Sequence, residues 1–94
     1  MRLYVIKDAV SDVVVSSLIP ALNDGVALNG FKQFLKSQED AGLNKAMFTL
    51  CWSGEMEDDG TLHGQSPAMI ASGDEVDEVF ESWLSAQILQ NKEI

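Results

Sequence analysis

An α+β fold, a small antiparallel sheet of about four strands with two amphipathic helices packed on one face, is what this 94-residue sequence predicts. Three observations carry the prediction. Short runs rich in β-branched and aromatic residues stand apart from two stretches of helical period. These segments follow one another in the order β-β-α-β-β-α, an α+β plan. The first two strands are joined by "KDAVSD", a link short enough for a hairpin. The length is that of one domain, residues 1–94, able to bury somewhat more than roughly 60% of its unfolded surface.

The first strand is expected at Leu3–Ile6, apolar on both faces and therefore central in the sheet or covered on both sides. Residues 13–19, "VVVSSLI", read as the second strand, antiparallel to the first and stopped by Pro20. A helix then starts at Asn23 or Asp24, either of which can cap it, with Ala27, Phe31, Phe34 and Leu35 in one apolar stripe. Asn29, Lys32 and Lys36 fall on the opposite face, and Gly42 is placed to end the helix. "GLNKA" reads as a loop. The third strand, "AMFTLCWSGE", puts Phe48, Leu50 and Trp52 on one face and Met47, Thr49, Cys51 and Ser53 on the other. "TLHG" is a short return strand, and Pro67–Ala71 adds an edge segment. Ser72 followed by Glu75 has the spacing of a capping box, so the second helix is expected to start there. Its apolar stripe is Val76, Val79, Phe80, Trp83 and Leu84, and its acidic face holds Asp74, Glu78 and Glu81.

Composition excludes several classes. An apolar content of 46% is that of a globular protein, and no run approaches the roughly 18 apolar residues of a membrane span. "MRLYVIKD" has too short an apolar run for a signal peptide, so the expected location is the cytoplasm. Cys51 is the single cysteine and fits a reducing compartment. Six basic against fifteen acidic residues give a formal charge of −9, which repels phosphate backbones and favours partners with basic surfaces.

The stretch "SGEMEDDGTLHG", residues 53–64, gathers the most candidate ligands. Glu55, Glu57 and Asp59 fit the opening positions of a calcium loop with Gly60 at its sixth, but Ser66 stands where that motif requires a bidentate Glu. Cys51, His63 and an aspartate could converge across a hairpin, yet one Cys and one His fall short of a zinc set. Carboxylates with no apolar surroundings make poor general acids. The expectation is therefore no catalytic residue, no metal and no cofactor. Asp58, Asp59 and Gly60 are residues of a tight turn, with Gly60 free to take φ > 0. The aromatic residues Tyr4, Phe31, Phe34, Phe48, Trp52, Phe80 and Trp83 sit on periodic stripes and are expected in the core, not on a base-stacking platform. The exposed acids Asp74, Glu78, Glu81, Asp58 and Asp59 are the candidate partner-binding residues.

Three segments resemble one family. "MRLYVIKD", "NDGVALNGFKQFL" and "MFTLCWSGEMEDDGTLHG" are similar to the start, the helix, and the strand with its Gly-Glu step and acidic turn in the small nonstructural protein of gokushovirus-type microviruses, phages with single-stranded circular DNA. Asn29 stands near where members often carry Arg, Met56-Glu57 replaces an aromatic and Asp, and residues 72–94 have no counterpart. The resemblance implies a nonenzymatic accessory role in phage genome replication or packaging. Combined with the charge, it points to contacts with basic phage replication or packaging proteins in the host cytoplasm. Direct binding of single-stranded DNA, a place in the virion, an acidic DNA-mimic role and self-association stay open alternatives.

Overall fold

A computed structural model describes residues 1–92. Its elements are β1 (Arg2–Asp8), β2 (Ile19–Ala21), α1 (Asp24–Asp40), a single 3-10 turn (Lys45–Met47), β3 (Phe48–Met56), β4 (Leu62–Ser72) and α2 (Val76–Lys92). The four strands form one antiparallel sheet in the order β2-β1-β3-β4, so the predicted α+β plan and its element order are observed. β1 is central, as its two-sided apolar pattern requires. Tyr4 and Ile6 point into the core beneath the helices, while their neighbours Leu3 and Val5 are buried outside that cluster.

The second strand is displaced from its predicted place. Residues 13–18 touch β1 through the Lys7↔Val14 bridge and a 2.9 Å hydrogen bond from the Val15 amide to the Ile6 carbonyl. There the Ser16 hydroxyl accepts the Ile6 N–H at 2.8 Å, so a side chain takes the place of a backbone carbonyl and the ladder breaks. Pairing resumes at Ile19–Ala21, with Pro20 inside the strand instead of ending it. An edge position makes this tolerable, because a proline in an edge strand need not donate to a second neighbour. The preceding turn is built on Asp8, whose Oδ1 accepts the amides of Val10 at 2.8 Å and Ser11 at 3.0 Å.

Asn23 is the residue that caps α1, accepting the Val26 amide at 3.0 Å. The far end closes as the sequence suggests: Gly42 has φ 87°, its amide bonds to Glu39, and the Leu43 amide reaches back to Gln38, a Schellman arrangement. The second helix begins later than the capping box implies. Ser72 is held in the ladder opposite Thr49, and Gly73 donates to the Phe48 carbonyl, so the helix cannot start before Val76. A side chain at Gly73 would sit 1.8 Å from the Lys45 carbonyl oxygen.

β3 and β4 form a longer hairpin than predicted, because "TLHG" and the Pro67 segment are parts of one strand. A bulge joins them: the register passes from Trp52↔Ala68 to Gly54↔Gly64, leaving Gln65, Ser66 and Pro67 opposite Ser53 alone. The chain's two prolines thus stand on the sheet's two edge strands, where no Lys, Arg, Asp or Glu guards the edge.

Both helices cover one sheet face and run antiparallel, with Trp83 against Gly25 and Lys32 Nζ 3.4 Å from Asp77. Tyr4, Leu28, Phe31 and Leu50 are the largest fully buried side chains among the described residues, and burying a Leu or Phe of this kind contributes about 1.5–3 kcal/mol. All seven aromatic residues are buried in or packed against this core, among them Phe34 edge-on to Phe48 with ring centres 5.1 Å apart. Lys32, expected on the outer face of α1, turns toward α2 and lies 4.8 Å above the Phe80 ring.

Two glycines of α1 separate packing from propensity. A Cβ at Gly25 would fall 2.3 Å from the Trp83 ring, so Gly25→Ala is expected to cost about 1–3 kcal/mol as the helices are forced apart. Gly30 has no atom within 4 Å of such a Cβ, and Gly30→Ala is expected to stabilise by about 0.5–1 kcal/mol through helix propensity alone. Urea unfolding of both variants checks this; a Gly25→Ala protein as stable as the parent would refute the helix contact.

Candidate functional site

Polar chemistry concentrates where the start of β1 meets the start of α1. Arg2 and Tyr4 alternate on one face of β1, and Asp24 is the first residue of α1, so strand period and helix start bring three polar side chains together. Arg2 Nε lies 2.9 Å from the Tyr4 hydroxyl and 3.1 Å from Asp24 Oδ1. The Tyr4 hydroxyl itself donates to Asp24 Oδ1. β3 supplies the lid: the guanidinium carbon stacks 4.2 Å from the Trp52 ring centre, and Glu55 Oε1 lies 3.8 Å from Arg2 Nη1. The Trp52 indole N–H donates to the Gly54 carbonyl at 2.8 Å, which fixes the ring under the cation. Here Gly54 has φ 147°, and a Cβ would collide with the His63 carbonyl at 2.2 Å.

One cation among two carboxylates leaves this cluster without spare positive charge, so its geometry suits clamping, not anion binding. Sequence reasoning passed over Arg2 as a functional residue and used Asp24 only as a possible cap. The available signal was the two-residue spacing of Arg2 and Tyr4. Their partner on another element was set by tertiary contact.

The candidate partner-binding residues fall into two separate groups. Asp58 and Asp59 are exposed in the β3–β4 turn, where Asp59 Oδ1 accepts the Thr61 amide at 2.9 Å and Gly60 has φ 92°. That hydrogen bond holds the Asp59 carboxyl below its usual range. The turn chemistry read from the sequence is therefore present. Asp74 lies at the other end of β4, and Glu78 and Glu81 follow on the exposed side of α2. The eleven residues of β4, at about 3.3 Å a step and shortened by its bulge, put this second group roughly 30 Å from the turn, so the two do not form one surface. Glu78 sits in the first turn of α2, where a helix dipole favours acid, but Glu81 lies beyond it.

The ligands considered for a metal are also apart. Cys51 is buried opposite Met69, whereas the exposed His63 Nε2 is 2.9 Å from Glu57 Oε2. Among the described residues no three His, Cys, Asp or Glu side chains are placed to hold an ion. Nor is any described helix long and apolar enough to cross a membrane.

Tyr4 is the sole tyrosine, which makes the clamp measurable. Burial and its hydrogen bond to Asp24 push its hydroxyl from the ordinary 10.0 up to about 12. Because the folded value is raised, the native state holds more protons than the unfolded state between pH 10 and about 12, and stability falls as pH rises through that window. Tyrosinate absorbance should titrate near pH 12 in the folded protein and near 10 in denaturant. Tyr4→Phe should remove this part of the alkaline stability loss. A native titration near 10 would contradict the clamp.

In comparisons with known proteins, the chain matches no family model, no curated protein and no solved structure.

Proposed function

We propose that this chain is a noncatalytic accessory protein of single-stranded DNA phage genome replication or packaging, acting through contacts with basic proteins of that machinery. The observation that carries the contact surface is the unpaired acid on α2 and in the turn before it. Asp74, Glu78 and Glu81 are exposed and make no ion pair among the described residues, while their neighbour Asp77 is tied to Lys32. Glu81 stands too far along the helix to serve its dipole, so a local structural role does not account for it. A field of −9 steers basic surfaces toward this face and phosphate away from it. The phage context rests on the resemblance of the three segments described above.

Charge reversal tests the reading. Glu78→Lys with Glu81→Lys should reduce capture of basic phage proteins from infected cells by tenfold or more, about 1.4 kcal/mol, while each exposed change moves stability by only about 0.5 kcal/mol. Tight, salt-sensitive binding of the parent protein to single-stranded oligonucleotides at low salt would instead favour direct DNA contact.

A further inference from the structure

α2 is held more loosely than α1. The first helix buries Gly25, Ala27, Leu28, Phe31 and Leu35, whereas of residues 76–90 in α2 only Val76 is buried. Val79, Phe80 and Trp83 pack against the core but keep part of their surface in water, and the later turns expose Ile88 at 54% and Leu89 at 62%. The helix rests chiefly on α1.

Its attachment is narrow as well. The chain is pinned to the sheet as far as Gly73, whose amide donates to the Phe48 carbonyl at 2.9 Å and which lies tight against the Lys45 carbonyl. Beyond Gly73, no hydrogen bond among the described residues joins α2 to another element. One ion pair among them crosses the seam, Lys32 with Asp77 at 3.4 Å, and the same ammonium lies over the Phe80 ring. The core supplied by α1 and the sheet holds Tyr4, Leu28, Phe31 and Leu50, all fully buried. An element that adds so little buried apolar surface opens at lower free energy than the whole.

We infer that α2 opens as a unit, hinged at Asp74 and Glu75, while the sheet and α1 stay folded, and that Lys32 is its latch. In opening, the Trp83 ring leaves its place over Gly25 and Asp77 leaves Lys32. The freed Asp77 joins Asp74, Glu78 and Glu81, so the open form carries more unpaired acid than the closed one. A partner with a basic surface binds that form more tightly and shifts the population toward it. This coupling rests on the proposed function; the opening itself does not.

Native-state hydrogen exchange, followed residue by residue by NMR, tests the opening. Past the first turn, the amides of α2 should share one opening constant, about tenfold or more above that of β1 and β3. Urea should raise it less steeply than it raises the strands' constant, because the slope follows the surface exposed. Lys32→Gln should enlarge the α2 constant about threefold to tenfold. Lys36→Gln, whose lysine has no ion pair among the described residues, should leave it unchanged. Val5→Ala, at a residue buried on β1 outside the helix-side cluster, should speed exchange in β1 and β3 but not in α2, since Val5 stays packed when α2 alone opens. Should Val5→Ala fail to fold, the urea slopes of the parent decide. Amides of α2 that exchange only together with the strands, at the same urea slope, overturn the inference, and an α2 constant unmoved by Lys32→Gln overturns the latch.

Discussion

The close approach of the two helices at Gly25 sets the geometry of everything above the sheet. The Trp83 ring occupies the space that any other residue at Gly25 would fill with its Cβ. That contact lets α2 lie beside α1 on a single sheet face, with Phe31, Leu28 and Leu50 sealed beneath. It also fixes the rotation of α2 about its axis. Once Trp83, Phe80 and Val76 point inward, Glu78 and Glu81 must point outward, and Asp77 meets Lys32 at the seam. The acidic face is thus a consequence of core packing as much as of composition.

A second constraint acts at the start of the chain. Arg2, Tyr4 and Asp24 are joined by hydrogen bonds in a half-dry corner, and Trp52 covers the cation. Charged hydrogen-bond partners held this way are worth more than exposed pairs, because removing one leaves the others unsatisfied. The corner ties β1, β3 and α1 together. Its carboxylates neutralise the only arginine, so the basic groups left elsewhere are lysines, two of which, Lys7 and Lys32, are themselves ion-paired.

Charge is therefore partitioned over the surface. Acid gathers at the hairpin turn and on α2, while both edge strands lack Lys, Arg, Asp and Glu and are guarded by Pro20 and Pro67 instead. The acidic surfaces attract cations at long range, whereas the edges without such charge act only on direct contact. An accessory role acting by protein contacts would use the acidic surfaces.

Much of this fold was legible in the residues. The alternation in "FTLCW", the stripe Ala27, Phe31 and Leu35, the cap at Asn23 and the positive-φ glycines at 42 and 60 are local physics, decided by periods of two and 3.6 and by backbone freedom. The misplaced second strand and the late start of α2 were not legible, because a Ser16 hydroxyl substituting in a ladder and a Ser72 held by its cross-strand partner are non-local events. The exposed acids could be named from sequence, but their division between two ends of β4 could not. By itself the sequence determined the element types, the sheet-and-helix layering and the excess of negative charge, since each follows from short-range pattern or composition. Only the tertiary structure decided which charges are neutralised at Arg2 and Lys32, which remain open on α2, and that an uncharged groove lies beside Gly30, because those outcomes depend on distances between residues far apart in the chain.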